Sequence, residues 1–353
     1  MKSGRVFATA VAFCMVAAVT AAVVGHPRAA DAATDGQWLR GAGASFPAPL
    51  YQRWIDVYQK AHPQVSLSYD SVGSGEGVSR FITGSVDFGA TDATLSDSDA
   101  AKVANGVVVV PATAGMVVLA YNLPGLNAEL KLPRDVYADI FAGKIKRWDD
   151  PRLQAANPGV TLPRRTIAVV ARLDSSGTTY AFTRHLDTIS SAWGSSGLRY
   201  GTLVPWPGGT MLVRGNEGVS ARIKISEGSI GYVEYGFARR LDLPVAALQN
   251  KAGTFVLPSE VSGQTALSEA ATGSAGDMRK AVVDPAGNTA YPIVTYSWLL
   301  LYGKYANPAK AAAIRDFVGW GLSDGQRYAS ELGYIALPES VSARGSEALA
   351  GIR

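Results

Sequence analysis

GVVVVP (residues 106–111) and GMVVLAYN (115–122) are two runs that are apolar almost throughout. A strand with one wet face alternates polar and apolar side chains. Unbroken runs of four to eight apolar residues instead mark strands covered on both faces, as in the parallel sheets of α/β proteins. The neighbouring segments agree. Leu50, Trp54, Val57 and Tyr58 recur at helical spacing, VSLSYDSV (65–72) reads as a strand, VSRFITG (78–84) as a helix and VDFGATD (86–92) as a strand. A short helix follows that Ser96 or Asp97 can cap.

Beyond residue 122 the same alternation returns. PRDVYADIFAG (133–143) predicts a helix closed by Gly143, RTIAVVAR (165–172) a strand and TTYAFTRHLDTIS (178–190) a helix. GSIGYVEYGFA (228–238) and TYSWLLLYG (295–303) predict buried strands, and NPAKAAAIRDFVGWGL (307–322) a late amphipathic helix. Alternating strands and helices without a low-complexity linker or an internal repeat argue for an α/β fold of two lobes sharing strands.

At 353 residues and 47% apolar, the chain can bury a substantial core. Its amino terminus has another character. Lys2 and Arg5 precede an apolar run from Val6 to Gly25, and Ala30-Asp31-Ala32 has the small-x-small form of a signal-peptidase site. Residues 1–32 are therefore expected to be a secretory signal; an uncleaved membrane anchor is the alternative, since the run is about as long as a bilayer span. Cys14, the single cysteine, lies in this run, so the exported part has no thiol for disulfides, thiolate metal sites or nucleophilic catalysis. Removing the leader brings the net charge from +4 to about +2, with no basic footprint for nucleic acid. His62 and His185 have no companions at metal-ligand spacing and read as surface helix residues; no metal or other cofactor is expected.

Four stretches place small or hydroxyl residues, or a lone acid, where a strand ends or a helix begins. In GAGASFPAP (41–49), Ser45 is a candidate N-cap and the prolines suit a helix start, so backbone amides face out of the loop. In SVGSGEGVSRF (71–81), Ser74 and the glycines let backbone approach a ligand closely. ARLDSSGTTYAF (171–182) offers Ser176, Gly177 and Thr178 at a third helix mouth. Each alone reads equally well as an ordinary cap; together they suit an anion. Arg172, at the end of an apolar strand, can hold an oxyanion with two parallel hydrogen bonds, and Asp174 can pin its guanidinium. The competing reading of that pair is an exposed ion pair.

Asp92 is the fourth feature. Unless it caps a helix, a carboxylate in an anion site repels a fully ionised ligand, so its presence asks for a ligand that carries a proton. Phosphate near neutrality does and sulfate does not. A site built around such a hydrogen bond rejects the analogue lacking it by roughly 10⁴ or more.

In these stretches, from about Gly41 almost to the carboxyl terminus, the sequence closely resembles the phosphate-binding proteins of phosphate ABC transporters, the PstS family. The likeness includes GAGASFPAP, VDFGATDATLSD (86–97), FAGKIKRWDDP (141–151), ARLDSSGTTYAFT (171–183), GSIGYVEY (228–235), YPIVTYSWLLL (291–301) and LGYIALP (332–338). The resemblance implies a type II periplasmic binding protein fold, two α/β lobes joined by crossing strands, with lobe I from 33–115 and 290–353 and lobe II from 116–289. It implies phosphate bound by Ser45, Phe46, Ser74, Asp92, Arg172, Ser176, Gly177 and Thr178, with Asp174 paired to the arginine. Crossovers near Thr113 to Val117 and Ala290 to Ile293 would serve as hinges. Two departures stand out. Ser45 occupies a position where the best-known members have Thr, and GSGEG (73–77) replaces Gly-Ser-Ser-Gly-Gly, so Glu76 lies near the anion site, expected in the first helical turn facing solvent.

The expected function is capture of inorganic phosphate in the periplasm by a monomer that hands it to the permease and ATPase subunits of a membrane transporter. An exported phosphatase or serine hydrolase is the alternative in another class. GASFP is one glycine short of a nucleophile elbow, and no Ser-His-Asp set or paired-metal cluster can be assembled from the sequence. Within the binding class, sulfate and molybdate are disfavoured by Asp92, whereas arsenate carries the same proton as phosphate.

Overall fold

The computed structural model describes residues 37–273 and 282–353; the expected leader, 1–32, lies outside the described residues. The chain opens with β1 (Gln37–Gly43), α1 (Ala48–Ala61), β2 (Val65–Ser71), α2 (Ser74–Ile82), β3 (Phe88–Thr91), α3 (Asp97–Ala100) and β4 (Val107–Asn122). It continues through β5 (Lys131–Leu132), α4 (Arg134–Phe141), α5 (Pro151–Ala156), β6 (Ala168–Arg172), α6 (Gly177–Ile189), α7 (Ser191–Ser195), β7 (Met211–Val213) and α8 (Gly215–Ile225). Then come β8 (Ser229–Glu234), α9 (Tyr235–Arg240), β9 (Ala247–Gln249), β10 (Phe255–Val256) and α10 (Glu260–Gly273). The last elements are β11 (Val294–Tyr302), α11 (Pro308–Leu322), α12 (Ala329–Leu332) and α13 (Glu339–Leu349).

An eight-stranded sheet in the order β2-β1-β3-β11-β4-β8-β6-β7 forms the frame, and β10-β9-β5 make a small second sheet. The two wings of the large sheet are parallel, β1 with β2 and β3, β6 with β7 and β8. Its middle is antiparallel, β11 with β3 and β4, and β4 with β8. The sequence runs 106–111 and 115–122 thus form one strand, β4, rather than two, and neither of its neighbours is parallel. The apolar run reports cover on both faces, which β4 has from Val110 to Tyr121, and carries no information about strand direction. β4 pairs with β11 as far as Met116 and with β8 from Val117 onward, so a single strand carries the chain from one half of the sheet to the other. Beside that switch, the Val117 amide donates to the Ile293 carbonyl at 2.9 Å.

The helices seat as their apolar faces demand. Leu50, Trp54, Ile55 and Tyr58 of α1 enter the main core, and the Trp54 indole N–H donates to the Gly325 carbonyl at 2.8 Å. α2 lies so close to β1 that a Cβ on Gly77 would stand 2.3 Å from Gly43 Cα. Two expectations are corrected. GSIGYVEYGFA is a strand only to Glu234, whose carboxylate accepts from the Gly236 amide at 2.9 Å and caps α9. His185 is buried, not on the surface. Its ring joins the Tyr137 hydroxyl at 2.7 Å, and burial pushes it down to about 3, so it stays neutral. His62 ends α1, half-buried, with its ring stacked on Tyr58 at 4.1 Å.

Candidate functional site

The starts of α1, α2, α6 and α8 meet beside the point where β4 changes partner, and there the polar residues are buried. Pro47 occupies the N-cap position of α1, with a proline in the first turn, so Ser45 does not cap that helix as expected. Set two residues ahead of the cap, its hydroxyl accepts instead from Asn216, from the backbone amide at 3.1 Å and from Nδ2 at 3.0 Å. The Phe46 carbonyl accepts from the Tyr334 hydroxyl at 2.6 Å, and the Phe46 ring packs against that tyrosine in the core. Ser74 is the first residue of α2, and its Oγ accepts from the amides of Asp92 at 3.2 Å and Gly177 at 3.0 Å.

α6 contributes the next group. Ser176 is its N-cap, with Oγ accepting from the Thr179 amide at 3.0 Å. Gly177 is where the helix comes nearest to its neighbours, because a Cβ there would stand 2.5 Å from Ser74 Oγ and 2.6 Å from Asp92 Cβ. Thr178 Oγ1 accepts from Asn216 Nδ2 at 3.2 Å and from Arg172 Nη1 at 3.5 Å. Arg172 ends β6, and its guanidinium grips Asp174 with both prongs, Nε to Oδ1 at 2.8 Å and Nη2 to Oδ2. The pair is buried, with Arg172 3% exposed, so it is no surface ion pair. Asp174 also accepts from the Gly215 amide at 3.1 Å, and the Tyr232 hydroxyl accepts from the Arg172 amide at 3.0 Å.

Burial acts on both acids in the same direction, with opposite outcomes. Asp92 is 2% exposed, and burial pushes it up to about 7 against the pull of the Ser297 hydrogen bond, the Arg172 charge and Ser74. Burial acts on Asp174 in the same direction. The hydrogen bonds and charge of Arg172, with the Gly215 amide, outweigh it and hold that carboxyl below the usual range.

The nine residues expected from the sequence therefore lie around one buried centre. Among the partners not foreseen are Asn216, Gly215 and Ser297. Asn216 and Gly215 sit in RGNEG (214–218), a fourth helix mouth with the grammar of the other three. Ser297, on β11, donates to Asp92 Oδ1 at 2.7 Å. It stands at the register shift of β11 against β4, the kind of irregularity that re-aims a side chain. Two open clefts border the centre rather than contain it. One of 450 Å³ touches Ser74 and Thr91, one of 720 Å³ touches Asp174 and Gly215, and they share Gly75 and Ser175. Glu76 faces the second, in the first turn of α2, exposed and bonded to Arg80 Nε at 2.8 Å.

Comparison with known proteins places the chain and its fold in one family. Residues 25–325 match the model of the PBP superfamily domain. The chain is 40% identical over 309 residues to the phosphate-binding protein PstS of Pasteurella multocida, covering 87% of this chain and 88% of that one. It is 39% identical over 333 residues to the phosphate-binding protein PstS of Methanocaldococcus jannaschii, covering 88% and 85%. Among solved structures, a high-affinity periplasmic phosphate-binding protein (PfluDING) bound with phosphate superposes with a TM-score of 0.69 at 22% identity, over 87% of this chain and 92% of that one. A putative phosphate ABC transporter substrate-binding protein from Clostridium perfringens gives 0.62 at 14% identity, over 86% and 100%. Its architecture is thus the two-lobed α/β fold of periplasmic binding proteins, and the chain belongs to the PstS family of the PBP superfamily.

Proposed function

We propose that this protein binds inorganic phosphate in the periplasm and delivers it, as a monomer, to the permease and ATPase subunits of a membrane ABC transporter. The observation that carries this reading is the pairing of a buried cation with a buried acid of opposite habit. Arg172, braced by Asp174, offers a fixed positive charge, while Asp92 offers an acceptor. A ligand that satisfies both is an oxyanion bearing a proton. Ser45, Ser74, Ser176 and Thr178 add hydroxyls, and Phe46 adds a backbone amide at a helix start, where partial positive charge accumulates, while the Gly177 amide, donating to Ser74 Oγ, orients that hydroxyl.

Binding alone suits the geometry better than catalysis. The side-chain partner of Ser45 is the donor end of Asn216. An N–H donor cannot take up the hydroxyl proton, so Ser45 is set to donate to a bound oxyanion and not to attack it. The lobes proposed are 33–115 with 290–353, and 116–289; the first boundary falls one residue before the partner switch on β4 between Met116 and Val117. Ser45 and Ser74 already stand within hydrogen-bond distance of Asn216 and Gly177, so hinge opening about that strand and the 290–293 segment would draw them apart and closure would restore the contacts.

Titration calorimetry on ligand-free protein tests the reading. Phosphate is expected to bind at a single site and sulfate to give no heat in the same range. Equal affinity for the two would refute the role given to Asp92, and turnover of an aryl phosphate abolished by Ser45→Ala would refute binding without catalysis. The close approach of α6 yields a second expectation. Gly177→Ala weakens phosphate binding about tenfold or more, since overpacking costs roughly 1–3 kcal/mol. An affinity equal to that of the wild type would show that α6 need not come so near to Ser74.

A further inference from the structure

Asn216 is fully buried, and its amide is oriented by its surroundings. Oδ1 accepts from the Glu234 backbone amide at 3.0 Å, which leaves the NH₂ end facing Ser45 Oγ at 3.0 Å and Thr178 Oγ1 at 3.2 Å. A hydroxyl has two acceptor sites and one proton. Ser45 has both acceptor sites filled by Asn216, through the backbone amide and Nδ2. Thr178 has one filled by Asn216 and the other faced by Arg172 Nη1 at 3.5 Å. Each hydroxyl is left with only its proton to offer.

We propose that Asn216 is a positioning residue that makes the Ser45 and Thr178 hydroxyls obligate donors toward the bound oxyanion. This deepens the phosphate-binding reading and rests on it. The same bonds tie the loop after β1 to α8, which packs on β8 and β6 in the other half of the sheet. One amide therefore both orients two hydroxyls and links the two halves around the ligand. Its own anchor is Glu234, the last residue of β8, paired with Val117 where β4 changes partner.

Calorimetry with inorganic phosphate on the whole protein, wild type and variants, tests this. Asn216→Ala is expected to weaken binding about 30-fold, as loss of orienting hydrogen bonds in a buried site does. In a Ser45→Ala background the same change should cost only about threefold, because its main target is already gone. Asn216→Asp keeps the shape but replaces the donor with an acceptor that takes the Ser45 proton, so it should bind more weakly than Asn216→Ala. Because the new carboxylate also repels the anion, the Ser45→Ala background separates the two effects: the penalty that persists there is repulsion, and the part that disappears is the lost hydroxyl donor. Melting curves without ligand identify variants that fail to fold; if Asn216→Ala is one of them, the Asn216→Asp and Ser45→Ala cycle decides. Asn216→Ala within twofold of wild type, or effects that multiply in full with Ser45→Ala, would overturn the proposal. A wild-type protein that binds no phosphate would overturn the reading beneath it instead.

Discussion

Arg172→Met lowers phosphate affinity by about 10²- to 10⁴-fold in titration calorimetry. Truncating one partner of a buried, hydrogen-bonded charge pair costs on the order of 3–5 kcal/mol, and each 1.4 kcal/mol is about tenfold. Here the loss is felt twice, since the ligand loses its cation and Asp174 loses its brace. The second effect sets a pH dependence. Asp174 is held below the ordinary carboxylate range in the folded protein, so its pairing adds stability that is present above the unfolded value and fades as pH falls through the folded one. The ligand-free variant should therefore melt lower than wild type near neutrality, with the difference shrinking in acid. Arg172→Met/Asp174→Asn should recover part of the melting temperature and none of the affinity. Arg172→Lys keeps the charge but not the planar fork and should fall between. Affinity within tenfold of wild type in Arg172→Met would remove the guanidinium from the site.

Asp92→Asn collapses the preference for phosphate over sulfate by about 10³-fold or more, measured as the ratio of the two dissociation constants. An amide offers sulfate a donor where the carboxylate offers it only lone pairs. The wild-type preference should itself depend on pH. Burial raises Asp92 to about 7, so below that pH a growing fraction carries its own proton and can donate to sulfate. Above it the ionised carboxylate accepts from the phosphate proton and repels sulfate. Preference for phosphate thus rises more steeply from pH 5.5 to 8.5 in the wild type than in Asp92→Asn, where only phosphate's own second ionisation remains. A preference that rises equally in both would place the titrating group elsewhere.

Much of the site was legible because its ingredients are local. A helix mouth announces itself by small and hydroxyl residues a few positions apart, as in GAGASFP, GSGEG and SSGTT. A lone arginine ending an apolar strand stands out for the same reason. Glu76 was also placed correctly, in a first turn facing solvent, since an acid there suits the helix dipole. Ser45 departs from the cap its residue type suggests, because Pro47 takes that position and leaves the hydroxyl free for another partner. His185 departs from the surface position its spacing suggests because α6 buries a wider face, with Thr179, Phe182, Thr183, His185 and Leu186 all covered.

By itself, the sequence determined the α/β class and the positions of three of the helix mouths, since propensity, periodicity and side-chain type act over a few residues. Only the tertiary structure decided that β4 is one antiparallel strand and that Asn216 and Ser297 belong to the site. It alone also decided whether each hydroxyl accepts or donates. Those outcomes hang on hydrogen bonds between residues far apart in the chain, Asn216 with Ser45 across 171 positions and Ser297 with Asp92 across 205. Their geometry exists only once the two halves of the sheet have closed on each other.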